Sequence, residues 1–153
     1  MKASKNDEIR QAVREQYGRV AESNGAGCGC GPSCCEVPAT ASAESMSQGL
    51  GYSAQDVTDV PEGANMGLGC GNPQAIAALQ AGEVVLDRGS GGGFDCFLAA
   101  SQVGASGQVI GVDMTPAMIS KARVNADKGG YRNVEFRLGE IEHLPVADNT
   151  VDV

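Results

Sequence analysis

The sequence has no tryptophan, and only three tyrosines and three phenylalanines among its 153 residues. Any core must therefore rest on Val, Ile, Leu, Met and Ala. Basic residues are also scarce: 11 Lys and Arg stand against 19 Asp and Glu, for a formal net charge of −8. Nucleic-acid partners need a basic footprint, and this balance argues against one. The single histidine, His143, follows no catalytic pattern and reads as a loop residue. No apolar run approaches the roughly 20 residues that span a bilayer. Met1 to Glu8 passes straight into a charged helical pattern, without the apolar stretch of a signal peptide. With 42% hydrophobic residues and 22 glycines, the expectation is one cytoplasmic α/β domain, or part of a larger one.

Six cysteines in a reducing compartment point to metal, metalloid or redox chemistry rather than to a disulfide framework. Four of them, Cys28, Cys30, Cys34 and Cys35, fall in a stretch with too much Gly and Pro for a helix or central strand. Thiolates are soft ligands, and such a loop suits a thiophilic ion. The spacing is not the C-x2-C of a zinc knuckle, so no structural zinc is assigned. Incidental thiols on a loop fit the same pattern, and both readings stay open. Cys70 sits in a second glycine-rich loop, Asn65 to Pro73. There Asn72 reads as an N-cap and Pro73 as the first residue of a helix running to about Leu79, closed by Gly82. Glycines on both sides favour a functional, exposed Cys70 over a buried structural one.

The remaining pattern is regular. Residues 6–23 read as an amphipathic helix with Ile9, Val13, Tyr17 and Val20 on one face. Short helices are expected over 43–50 and over 53–60, the second capped by Ser53. Strands at about 83–88, 108–113 and 134–138 alternate with helices at about 93–103 and from Pro116, capped by Thr115, to about Asp127. That alternation predicts a doubly wound parallel sheet. Two units follow: 1–82, a helical extension with the Cys-rich loop (24–36) and the Cys70 loop, and 83–153, the nucleotide-binding part. Val151 to Val153 read as the start of a fourth strand.

The stretch Val84-Val85-Leu86-Asp87-Arg88-Gly89-Ser90-Gly91-Gly92-Gly93-Phe94 organises this pattern. A strand, a tight glycine turn and a helix start let a ligand approach bare backbone N–H groups. The spacing is Gly-x-Gly-x-Gly, and no Gly-Lys-Ser/Thr follows, which excludes a phosphate-gripping loop. Asp87 ends the first strand where a carboxylate suits a cationic, phosphate-free cofactor. Asp113 ends the second, placed to accept from ribose hydroxyls. These features describe S-adenosylmethionine.

Asp87 to Gly93 resembles the first motif of class I S-adenosylmethionine-dependent methyltransferases. Four longer strings resemble prokaryotic arsenite methyltransferases: Gly67 to Pro73, Gly89 to Cys96, Gly111 to Pro116, and Gly139 through Glu142 to Leu144-Pro145. The resemblance implies a Rossmann-like sheet with Gly89, Ser90, Gly91 and Gly93 at the methionine and sulfonium end. Asp113 would hold the ribose, Met114 would pack on adenine, and Glu140 and Ile141 would lie at the adenine edge. It also implies arsenite as substrate, arsenic detoxification as role, and a thiol reductant as partner. Cys70 would bind arsenic, with Cys28, Cys30, Cys34 and Cys35 as further arsenic-binding candidates and Cys96 as a partner thiol or core residue. Alternatives are methylation of an organic quinone or sterol and a non-catalytic soft-metal thiol module.

Two departures from the resemblance carry expectations. The family continues with a Ser-Asn-Cys segment and a later Cys, so this chain reads as truncated, with little methyl transfer and an open sheet edge that favours homo-oligomers. Arg88 replaces an apolar residue, and an unpaired guanidinium inside a buried strand would cost several kcal/mol, a mark of a damaged variant unless the strand ends there.

Overall fold

The computed structural model describes residues 5–23 and 42–153. In chain order these form α1 (Lys5–Glu22), α2 (Ala43–Gly49), α3 (Ala54–Thr58), α4 (Gln74–Ala77), β1 (Val84–Arg88), α5 (Phe94–Val103), β2 (Gln108–Asp113), α6 (Pro116–Gly129) and β3 (Val134–Leu138). The three strands are parallel in the order β1-β2-β3, with Asp87 opposite Gly111 and Asp113 opposite Leu138. On the other flank of β1, Val153 N–H donates to the Val84 carbonyl, and Leu86 N–H donates to the Val153 carbonyl at 2.8 Å. Residues 151–153 thus run beside β1 in the register of a parallel neighbour, where a fourth strand was expected.

The core lies between the sheet and α5 and α6. Phe97, Val103, Val109, Val112, Cys96 and Met118 are its largest fully buried side chains. Phe97 meets Phe136 edge-on at 5.8 Å and Tyr131 at 4.6 Å. A glycine in mid-strand is usually a weakness. Gly111 is there because a Cβ would stand 2.6 Å from the Phe136 ring and 2.9 Å from Cys96 Sγ. A second cluster joins Val20 and Ala21 of α1 to Met118 of α6, with Met66 and Leu68 packed against it.

Several local expectations change. The helix after Cys70 is four residues long, with Pro73 at the cap position and Ala78 closing it in the left-handed region at φ 49°. Asn72 still accepts from Ala75 N–H at 3.3 Å, but Gly82 does not end the helix. α6 starts at Thr115 without a side-chain cap bond. Instead Thr115 N–H donates to Asp113 Oδ1 at 2.7 Å. α3 does have the Ser53 cap, completed as a capping box by Asp56. Arg88 is exposed at the end of β1. Its guanidinium stays in water, so the expected burial penalty does not arise.

Candidate functional site

The carboxyl ends of β1 and β2 lie side by side, and the sheet changes direction at β1, which has β2 on one flank and residues 151–153 on the other. In open α/β sheets such ends form the ligand crevice. After Arg88 the backbone folds back so that Gly89 N–H and Ser90 N–H both donate to the Val112 carbonyl, at 2.7 and 3.1 Å. Gly91 N–H then donates to Asp113 Oδ2 at 3.1 Å. Gly93 opens α5 at φ 93°, and a Cβ there would stand 2.7 Å from Phe136 and 2.8 Å from Phe97. Only glycine fits both that conformation and that contact. Asp113 therefore ties the turn to the start of α6 through two backbone donors.

Above this turn is a cavity of about 490 Å³, within the usual range for a small-molecule site. Its floor includes Asp87, Gly89, Ser90, Gly91, Val112, Asp113 and Met114. Cys70, exposed and not in a disulfide, lines the same cavity, as does Ile141. The structure thus brings together Asp87, Gly89, Ser90, Gly91, Asp113, Met114, Ile141 and Cys70. It leaves two expected residues off the lining. Gly93 is buried beneath, and Glu140 is paired with Arg14. Cys28, Cys30, Cys34 and Cys35 lie outside the described residues. Cys96 is wholly buried and belongs to the core.

The electrostatics favour a cation. Asp87, Asp95, Asp113 and Glu142 line the cavity, and Arg10, itself bonded to Glu142 and Asp7, is the one Lys or Arg among the lining residues. Burial pushes the Asp87 carboxyl up to about 6, with Asp95 and Asp113 adding to the rise. A hydrogen bond from Cys96 Sγ at 3.2 Å works the other way. Burial and that same carboxylate push the Cys96 thiol up, so it is an inert donor rather than a nucleophile. A phosphate would meet mainly repulsion here. A sulfonium or ammonium group would not.

Sequence reasoning missed the walls. Tyr52, only 4% exposed, places its hydroxyl 2.7 Å from Asp95 Oδ1 and 3.0 Å from the Gly71 carbonyl. Asn72 Nδ2 reaches the Gly51 carbonyl at 3.0 Å, and Gln74 Nε2 the Asp95 carbonyl at 3.1 Å. The Cys70 loop is thereby pinned to the first turn of α5. Asn65 Oδ1 accepts from Ser47 Oγ at 2.9 Å and Gly67 N–H at 3.0 Å, which holds the segment above Gly92. No spacing in the sequence marks these partners, because all but the local Gly67–Asn65 bond join positions 18 or more apart.

Residues 79–153 match a family described as a methyltransferase domain. A solved S-adenosylmethionine-dependent methyltransferase from Aquifex aeolicus superposes with a TM-score of 0.51 at 24% identity. It covers 73% of this chain and 54% of its own. With the glycine turn, the two acids at the strand ends and the parallel sheet already in place, residues 79–153 match a methyltransferase domain and the chain has the fold of the class I methyltransferases, which use S-adenosylmethionine.

Within that class its similarity is to particular enzymes. It is 56% identical, over 96% of its length, to the arsenite methyltransferase of Halobacterium salinarum. It is 36% identical, over 95%, to that of Aquipseudomonas alcaligenes. The chain spans 39% and 40% of those two relatives. Among the described residues, no helix is long and apolar enough to cross a membrane.

Proposed function

We propose that this chain serves methyl transfer from S-adenosylmethionine to trivalent arsenic held by thiolates. The observation that carries this reading is that Cys70 opens onto the same cavity as the glycine turn and the two strand-end acids. The relatives' names support the choice of substrate. The cofactor fits the cavity's chemistry: bare backbone for an amino-acid tail, carboxylates for cationic groups, and no cluster of cations for phosphate. When bound, it supplies a methyl group on a cationic sulfur.

Gly89, Ser90 and Gly91 would hold the amino-acid tail, and Gly93 shapes the helix start beneath them. Asp87 sits by the cationic end, where a bound cation would draw its carboxyl back down. Asp113 already accepts from Gly91 and Thr115, yet each carboxylate oxygen keeps a second acceptor site for a ribose hydroxyl. Met114 and Ile141 would pack against adenine, with Glu140 at its edge. Cys70 supplies one soft thiolate, and further thiols are proposed from Cys28, Cys30, Cys34 and Cys35. A lone pair on thiolate-held arsenic accepts a methyl group in line and needs no general base. Exposed His143, whose backbone bridges to Glu140, is not required. A thiol reductant would keep the cysteines in the binding form. The outer edge of β3 would be the contact for any self-association.

The test combines arsenite titration with transfer of a labelled methyl group in the presence of a thiol reductant, on the chain and on Cys70→Ser. Arsenite binding and labelled arsenic product that both fall away in Cys70→Ser support the reading. Binding and transfer unchanged by Cys70→Ser overturn it, as does transfer to an organic acceptor alone. Metal uptake without cofactor binding would favour a thiol module instead.

A further inference from the structure

α1 lies outside the matched methyltransferase region, yet it walls the cavity. Arg10, Val13 and Tyr17 are its lining residues, spaced so that one helix face carries all three. That face is anchored at both ends. Toward its start, Arg10 donates to Glu142 at 2.8 Å and Arg14 donates to Glu140. Toward its end, Val20 and Ala21 pack on Met118, Met66 and Leu68, and Lys121 Nζ donates to the Ala21 carbonyl at 3.2 Å. The helix thus bridges the 140–142 segment to the segment that leads into Cys70. Tyr17 lies between these anchors, 41% exposed although it lines the cavity. Ile141, 63% exposed, lines it too. Among so many carboxylates, these apolar surfaces gain most from being covered by a flat ring system.

We propose that α1 is the roof of the cofactor site: Val13 and Tyr17 cover the adenosine moiety of S-adenosylmethionine, while Arg10 and Arg14 hold the helix on the acids at 142 and 140. This rests on the cofactor reading above. With the amino-acid tail at the glycine turn and the ribose at Asp113, the base extends toward residues 139–142, beneath the first turns of α1.

Calorimetry with S-adenosylhomocysteine on the wild-type chain tests the cofactor reading. The same titration on Tyr17→Ala and Val13→Ala tests the roof, and neither replacement threatens folding, since alanine favours a helix. Affinity is expected to fall about tenfold in Tyr17→Ala, the scale of a lost base–aromatic contact, and about fivefold in Val13→Ala, the scale of lost apolar cover. Ile9→Ala, on the same helix but off the cavity, should stay within about twofold of wild type. Tyr17→Trp gives the chain its sole tryptophan, and its emission should change saturably with the ligand. Val13→Ala and Tyr17→Ala both binding like wild type would overturn the roof. So would flat Tyr17→Trp emission at concentrations that calorimetry shows to be saturating. A wild-type chain that binds no S-adenosylhomocysteine overturns the cofactor reading itself, and the roof with it.

Discussion

The glycine turn and α1 bound the same cavity but are held there by different forces. The turn is part of the sheet. Its N–H groups bond to Val112 and Asp113 a strand away, and its helix start is wedged against Phe97 and Phe136. α1 rests on the rim through two ion pairs at partly exposed side chains and one small apolar cluster. Close packing tolerates little change, whereas exposed ion pairs contribute little. The contrast separates a floor whose shape is fixed by the core from a roof held by fewer and weaker ties.

The comparison is sharpest at Gly93. Gly93→Ala forces a Cβ against two aromatic rings at positive φ, and should destabilise the chain by about 3 kcal/mol or more, read by urea unfolding. An unchanged midpoint would mean that the floor is softer than the packing implies.

Asp87 is the next largest effect, and it carries a sign. Its carboxyl is raised from 3.8 to about 6 in the folded chain. The folded state therefore holds the proton more tightly than the unfolded one. That stability is complete below about pH 4 and is lost as pH rises through about 6. Asp87→Asn stays neutral and can still accept from Cys96. It should be more stable than wild type by roughly 2 kcal/mol at pH 7.5, with the gain vanishing toward pH 4. Thermal melts across that range decide it, and a gain independent of pH would show that ionisation is not the cause.

Tyr52→Phe tests the join between floor and Cys70 loop. It removes the one hydroxyl proton that half-buried Asp95 and the Gly71 carbonyl share, with an expected loss of about 1–2 kcal/mol in chemical denaturation. No loss would place the join elsewhere, in Asn72 and Gln74. Arg14→Ala should cost least, about 0.5 kcal/mol, and that cost should fade at high salt. A loss as large as that at Gly93 would erase the distinction between floor and roof.

Much of the floor was legible in residue order. β2 and β3 fall on the expected residues, α5 begins within one residue of the expected start, Asp113 ends β2, and Asp87 stands one residue before the end of β1. Local rules decide such features: period, caps, and glycine where backbone must turn. At Arg88 residue order left burial and a strand end both open, because a strand pattern does not tell which of its residues is the last to be covered. The four-residue α4 misled because a good N-cap signal cannot set how far a helix continues. For Glu140 the string suggested a place at the adenine edge, but it could not name the partner of its carboxylate, Arg14, 126 positions away.

By itself, then, the sequence determined the alternation of strands and helices, the cation-favouring acids at the strand ends, and a thiol flanked by glycines. Each is written in neighbouring residues. Only the tertiary structure decided that Cys70 faces the glycine turn, that Tyr52 and Asp95 hold it there, that Cys96 is core, and that Val13 and Tyr17 of α1 face the cavity. Those outcomes depend on contacts between residues far apart in the chain, whose partners are selected by packing and by the cost of leaving a buried polar group unpaired.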